Sequence, residues 1–138
     1  MEQEDKELLL RDLCERLPYG VKVKTNNINI LKLGTHTRVG EYVTDVTEPC
    51  KPYLFPLSSM TEGQTEEVHN LIYQGVSESI EETKEWLKTR KENELRPITL
   101  TYILSYTLVI DWFCKNHFDY RGLIPMGLAI DCTNLNIY

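Results

Sequence analysis

A chain of 138 residues with 41% hydrophobic and 26% charged residues has room for one core and too much apolar surface for whole-chain disorder. Its formal net charge of -6 argues against a general nucleic-acid binder, whose affinity rests on neutralising phosphates. The charge is uneven: residues 1–20 carry six acids and three bases, 21–60 three acids and five bases, 61–96 nine acids and five bases. The basic middle section leaves a place for a local anion site, and solvated helices beside a sheet produce the same pattern.

A single domain over 1–138 is expected. The acidic start lacks the basic and apolar regions of an export signal, so a cytoplasmic setting with reduced Cys14, Cys50, Cys114 and Cys132 is expected. The most apolar run, Ile98 to Cys114, is interrupted by Thr99, Thr101, Ser105, Thr107 and Asp111. It falls short of the roughly 20 apolar residues that span a bilayer, and no membrane partner is expected.

In chain order, residues 5–17 read as an amphipathic helix. Leu10, Leu13, Cys14 and Leu17 recur at i, i+3, i+4, i+7. Pro18 stops that helix and Gly20 releases the chain. Residues 21–57 read as antiparallel strands. Val21 and Val23 alternate with Lys22 and Lys24, Asn26-Asn27 makes a turn, and Ile28 and Ile30 continue the alternation. The pattern slips between Ile30 and Leu31 and resumes through Leu33, which predicts a bulge. Residues 36–47 read as a third strand. Lys51–Leu57 carries Pro52 and Pro56, which predicts an edge strand or extended arm.

Residues 61–73 read as a helix opened by a capping box, Thr61 with Gln64 or Ser59 with Glu62. Residues 78–94 read as a charged peripheral helix with Glu81–Lys84 and Glu85–Lys88 as side-chain partners and only Ile80, Trp86 and Leu87 to bury. Ile98–Thr101 alternates like a short strand. A core helix is expected over 102–116, with Leu104, Leu108 and Trp112 sharing its buried face, flanked by Val109 and Phe113. Leu123–Ile130 reads as a final apolar strand interrupted by Pro125 and Gly127. The fold class is therefore α+β, a small antiparallel sheet packed with helices, with a sheet curled into a small barrel as the alternative.

No catalytic or metal signature is present. His36, His69 and His117 share no ligand spacing, and P-loop, G-x-S-x-G and G-x-G-x-x-G patterns are absent. The chain is read as not an enzyme and as needing no cofactor. Cys114 and His117, three residues apart, are the least implausible reactive pair. The densest polar cluster runs from His117 to Gly122. Asp119, Tyr120 and Arg121 are candidate binding residues there: Arg121 offers a forked donor to carboxylate or phosphate, and Tyr120 a stacking face. The structural alternative is a turn in which Asp119 pairs with Arg121. Lys51 and Tyr53 are a second candidate pair, basic and aromatic beside a sheet edge.

Three segments carry a family resemblance: Leu13–Val23 (LCERLPYGVKV), Lys51–Thr61 (KPYLFPLSSMT) and Asp111–Ile124 (DWFCKNHFDYRGLI). Together they resemble a family of small uncharacterised phage, prophage and mobile-element proteins of gut Bacteroides-type bacteria. The resemblance implies an accessory protein of a bacterial cytoplasm and carries no activity. Two functions are weighed. One is a non-enzymatic interaction protein that interferes with a host or defence protein. The other is a binding or sequestering protein for a small nucleotide-type signal, built as a homo-oligomer.

Overall fold

The structure, a computed structural model, describes residues 2–25, 27–34, 50–73, 84 and 100–138, with side chains from 107 onward in the last stretch. The chain order is α1 (Gln3–Arg16), a 3-10 turn (Leu17–Tyr19), β1 (Lys22–Lys24), β2 (Leu31–Lys32), β3 (Lys51–Pro56), a second 3-10 turn (Leu57–Ser59), α2 (Glu62–Tyr73), α3 (Leu100–Lys115), β4 (Phe118–Asp119) and β5 (Ile130–Asp131). The fold is α+β; among the described residues, five short strands form one sheet that does not close into a barrel. The expected third strand at 36–47 and the charged helix at 78–94, with Trp86, lie outside the described residues, apart from helical Lys84.

The helix boundaries follow local chemistry. Arg16 is the last residue of α1, and Pro18 sits in the 3-10 turn behind it. Gly20 ends the turn at φ 66, and its N–H donates to the Leu17 carbonyl. A Cβ there would meet only the far end of the Lys32 side chain, at 2.5 Å, which can swing aside, so it is the backbone angle that favours glycine. The capping box at Thr61 forms in both directions. Gln64 N–H donates to Thr61 Oγ1 at 3.2 Å, and Thr61 N–H donates to Gln64 Oε1 at 2.9 Å. Leu100 and Thr101 are already helical, so α3 starts before the expected position and no strand covers those two residues.

The sheet departs from expectation in two ways. It is mixed, not antiparallel: β1 pairs antiparallel with β2 and β3, whereas β4 and β5 run parallel to β3. And β3, the strand with two prolines, is its centre, not its edge. Three partners share its length: β1 at Lys51 and Pro52, β5 at Tyr53 and Leu54, β4 at Phe55 and Pro56. The prolines are tolerated because other residues carry the ladder. Phe55 N–H donates to the His117 carbonyl at 2.8 Å, and the Leu54 carbonyl accepts from Cys132 N–H at 3.0 Å. Where β1 leaves β3, the Tyr138 hydroxyl fills in. It accepts from Lys22 N–H at 2.8 Å and donates to the Tyr53 carbonyl at 2.9 Å.

Among the described residues, three apolar clusters hold these elements. Leu9 and Leu13 of α1 pack with Val21, Val23, Leu33 and Cys50. Val109, Phe113 and Cys114 of α3 pack with Val68 of α2 and with Phe118 and Tyr120. Leu54, Leu123, Leu128 and Ala129 form the third. α1 and α3 touch, while their buried apolar residues fall mainly in different clusters. Among the described residues, the buried stripes overlap the expected faces only in part. In α1, Leu9, Asp12, Leu13 and Arg16 are buried, while Cys14 is exposed. In α3, Val109 and Phe113 are buried, whereas Leu108 is 44% exposed. Trp112 is half-buried, stacked on Phe118 with its indole N–H donating to Glu67 Oε2 at 2.8 Å. Ile28 and Ile30, expected to continue the strand, project outward at 45% and 52% exposure.

Candidate functional site

The polar turn at 117–122 meets α1 at the inner side of the fold. The turn begins with His117 at φ 62, left-handed backbone that a non-glycine residue seldom adopts, and reaches Gly122 at φ 76. Between them β4 places Asp119 against the loop that follows. Asp119 Oδ1 accepts from Leu123 N–H at 2.8 Å and Oδ2 from Ile124 N–H at 2.9 Å. Asp119 is therefore engaged with backbone donors and not with Arg121, as the local-pair reading had it.

Arg121 reaches across to α1. Its Nη2 lies 2.7 Å from Glu15 Oε2 and its Nε 3.4 Å from Asp12 Oδ1. Glu15 Oε2 also accepts from the Tyr120 hydroxyl. One helical turn along α1, Arg16 is wholly buried. Its Nε donates to Asp12 Oδ2 at 2.8 Å and its Nη2 to the Phe118 carbonyl at 2.7 Å. The two guanidinium groups flank the Tyr120 ring, 5.2 Å (Arg16) and 4.9 Å (Arg121) from its centroid. Asp12, Glu15, Arg16, Tyr120 and Arg121 thus form one charged network joining α1 to the turn after α3.

The electrostatics follow from this enclosure. Burial, then the neighbouring Cys114 and the hydrogen bond to Glu15, push the Tyr120 phenol well above its ordinary value. Burial opposes the Arg121 cation, but the hydrogen bond to Glu15 and the surrounding charges outweigh it and raise Arg121 further. Burial pushes the Cys114 thiol up to about 11, with its sulfur 4.0 Å from the Tyr120 hydroxyl. A thiol held protonated is a poor nucleophile. Burial, with the charges of Arg16 and Lys22, holds His117 down to about 4. Its ring stacks on Tyr138 at 3.6 Å, so Cys114 and His117 have separate side-chain partners.

The second candidate pair lies further back along β3. Lys51 is exposed, and Tyr53 is buried with its hydroxyl donating to the Asn29 carbonyl at 2.6 Å. Lys51 and Tyr53 lie on β3 before its pairing with β4, so the structure does not gather them with Asp119, Tyr120 and Arg121. Asp12, Glu15 and Arg16 were not singled out from the sequence. The available signal was the i, i+4 spacing of Asp12 and Arg16 inside a leucine-rich stretch, which places an ion pair on the side of the helix that Leu9 and Leu13 bury.

Among the described residues, one cavity borders this network and another lies beside β3 and β4. One, of about 310 Å³, is lined by Glu15, Asp111 and Arg121 with Thr107, Ile110 and Cys114. The other, of about 270 Å³, lies between β3, the start of α2 and β4. Among the described residues no group of three or more His, Cys, Asp or Glu is placed to hold a metal, and no helix is long and apolar enough to cross a membrane. No family model, no curated protein and no solved structure matches the chain.

Proposed function

We propose that this protein is a non-enzymatic interaction protein, a phage or prophage accessory protein that binds a host or defence protein in a bacterial cytoplasm. The observation that carries the reading is where the polar candidates point. Asp119, Tyr120 and Arg121 spend hydrogen bonds and charge on Leu123, Ile124, Glu15 and Asp12, which holds the fold together. The Cys114 thiol is raised to about 11. Among the described residues, large apolar side chains do face outward: Ile28 and Ile30 together in the turn between β1 and β2, and Leu108, Met126 and Leu135 elsewhere. The family resemblance of the three segments supplies the phage setting. Pull-down from host lysate tests the reading, with an Ile28→Asp, Ile30→Asp double variant as comparison. A specific partner lost in the variant is the expected result. No partner, or the same partners with both proteins, counts against it.

A nucleotide-type signal as ligand has weaker support. It requires Arg121 to leave Glu15 and Asp12 for a phosphate, beside an Asp111 that also lines the cavity. A thermal-shift screen separates the two readings, because a ligand at 100 times its dissociation constant adds about 2.7 kcal/mol of stability.

A further inference from the structure

The cavity of about 270 Å³ differs from its neighbour in having no ionisable side chain among its described lining residues. Its polar wall comes from four separate stretches: Ser59, the Thr61–Gln64 pair at the start of α2, Asn116 at the end of α3, and Thr133 beyond β5. Phe55 and Phe118 supply its apolar part. Two primary amides are locked in opposite senses by their own backbone bonds. Gln64 Oε1 accepts from Thr61 N–H, which leaves its NH2 group as a donor. Asn116 Nδ2 donates to the Trp112 carbonyl at 2.9 Å, which leaves its Oδ1 as an acceptor. The hydroxyls are fixed too. Ser59 Oγ donates to the Pro56 carbonyl at 2.7 Å and Thr133 Oγ1 to Asp131 Oδ1 at 2.5 Å, so both offer lone pairs.

From this arrangement we propose that the cavity binds a single uncharged, polyhydroxylated ring of the monosaccharide class. Several hydroxyls, each able to donate and to accept, match one amide donor, one amide carbonyl and the hydroxyl oxygens. A lone amide ligand would leave most of them unmatched. A phosphate or carboxylate would lose water without meeting a cation among the described lining residues. A flat base finds little ring face to stack on, because Trp112 already covers Phe118 at 5.6 Å and 9° and Phe55 leans on it at 47°. The volume lies just below the roughly 300–1,000 Å³ of drug-sized sites, which limits the ligand to about one ring. The donors and acceptors are held before binding, so little ordering cost remains.

This site is independent of partner binding at the β1–β2 turn. Saturation-transfer NMR and calorimetric titration of the full chain with glucose, galactose, mannose and N-acetylglucosamine test it. Glucose 6-phosphate and glucuronate serve as charged controls. At least one neutral sugar is expected to bind saturably at one site, with the charged sugars weaker. The decisive variant is Gln64→Glu. It keeps the acceptor for Thr61 N–H, and so the capping box, but turns the cavity donor into a charged acceptor. Its affinity for the same sugar is expected to fall at least about tenfold, the scale of one lost hydrogen bond. No saturable binding up to about 10 mM overturns the proposal. So does equal binding by the variant, or preference for a charged sugar.

Discussion

Replacing Arg16 by Met probes the charged network at its most enclosed point. Arg16 is 0% exposed, and so is its partner Asp12. Methionine keeps much of the stem but removes three things: the 2.8 Å ion pair to Asp12, the 2.7 Å bond to the Phe118 carbonyl, and the cation beside Tyr120. Asp12 then retains only Arg121, 3.4 Å away. Breaking a buried pair from one side costs about 3–5 kcal/mol, because the remaining charge stays desolvated. That is a large part of the roughly 5–15 kcal/mol that hold a domain folded. The double variant Asp12→Leu, Arg16→Met removes both charges and leaves chiefly the orphaned Phe118 carbonyl, a cost of about 1–3 kcal/mol. The double variant is therefore expected to be more stable than Arg16→Met alone. Urea melts at neutral pH, with unchanged slope, give the comparison. A loss below about 1 kcal/mol for Arg16→Met, or a double variant equal to the sum of its single changes, refutes the coupled, buried network.

The buried face of α3 makes a second contrast. Phe113→Ala, at a wholly buried ring, is expected to cost about 3–5 kcal/mol, and Leu108→Ala, 44% exposed, less than about 1 kcal/mol; denaturant melts that reverse the order would reinstate the face of Leu104, Leu108 and Trp112. His117 carries a pH dependence. Its folded value, about 4, lies below the unfolded value near 6.5, so stability is complete above about 6.5 and falls as pH drops towards 4. His117→Asn suits the left-handed backbone and cannot titrate, so melting temperature followed from pH 7 to 4 is expected to decline less steeply than in the parent. Thr61→Ala removes the oxygen that accepts Gln64 N–H and is expected to cost about 1 kcal/mol; no change in melting would mean the cap is made by water.

What the sequence settles by itself is what local physics settles. Pro18 and Gly20 end α1, Thr61 with Gln64 opens α2, and Val21 and Val23 alternate into a buried strand face, because backbone stereochemistry and spacing act over a few residues. Period alone does not choose which neighbouring rows of an apolar helix turn inward. In α1, Leu10 and Cys14 fit a helical stripe as well as Leu9 and Leu13 do. The choice came from partners far along the chain: Phe118, Tyr120 and Arg121 let Asp12 and Arg16 be buried as a pair. The same holds for β3. Two prolines argue for an edge when strands are taken as evenly paired. Three short partners, each covering two residues, make it a centre instead. The fate of Asp119, Tyr120 and Arg121 was likewise decided by tertiary contacts. A polar turn reads as available for ligand until α1 brings Glu15 and Asp12 against it, because electrostatic partners meet in space and not in sequence.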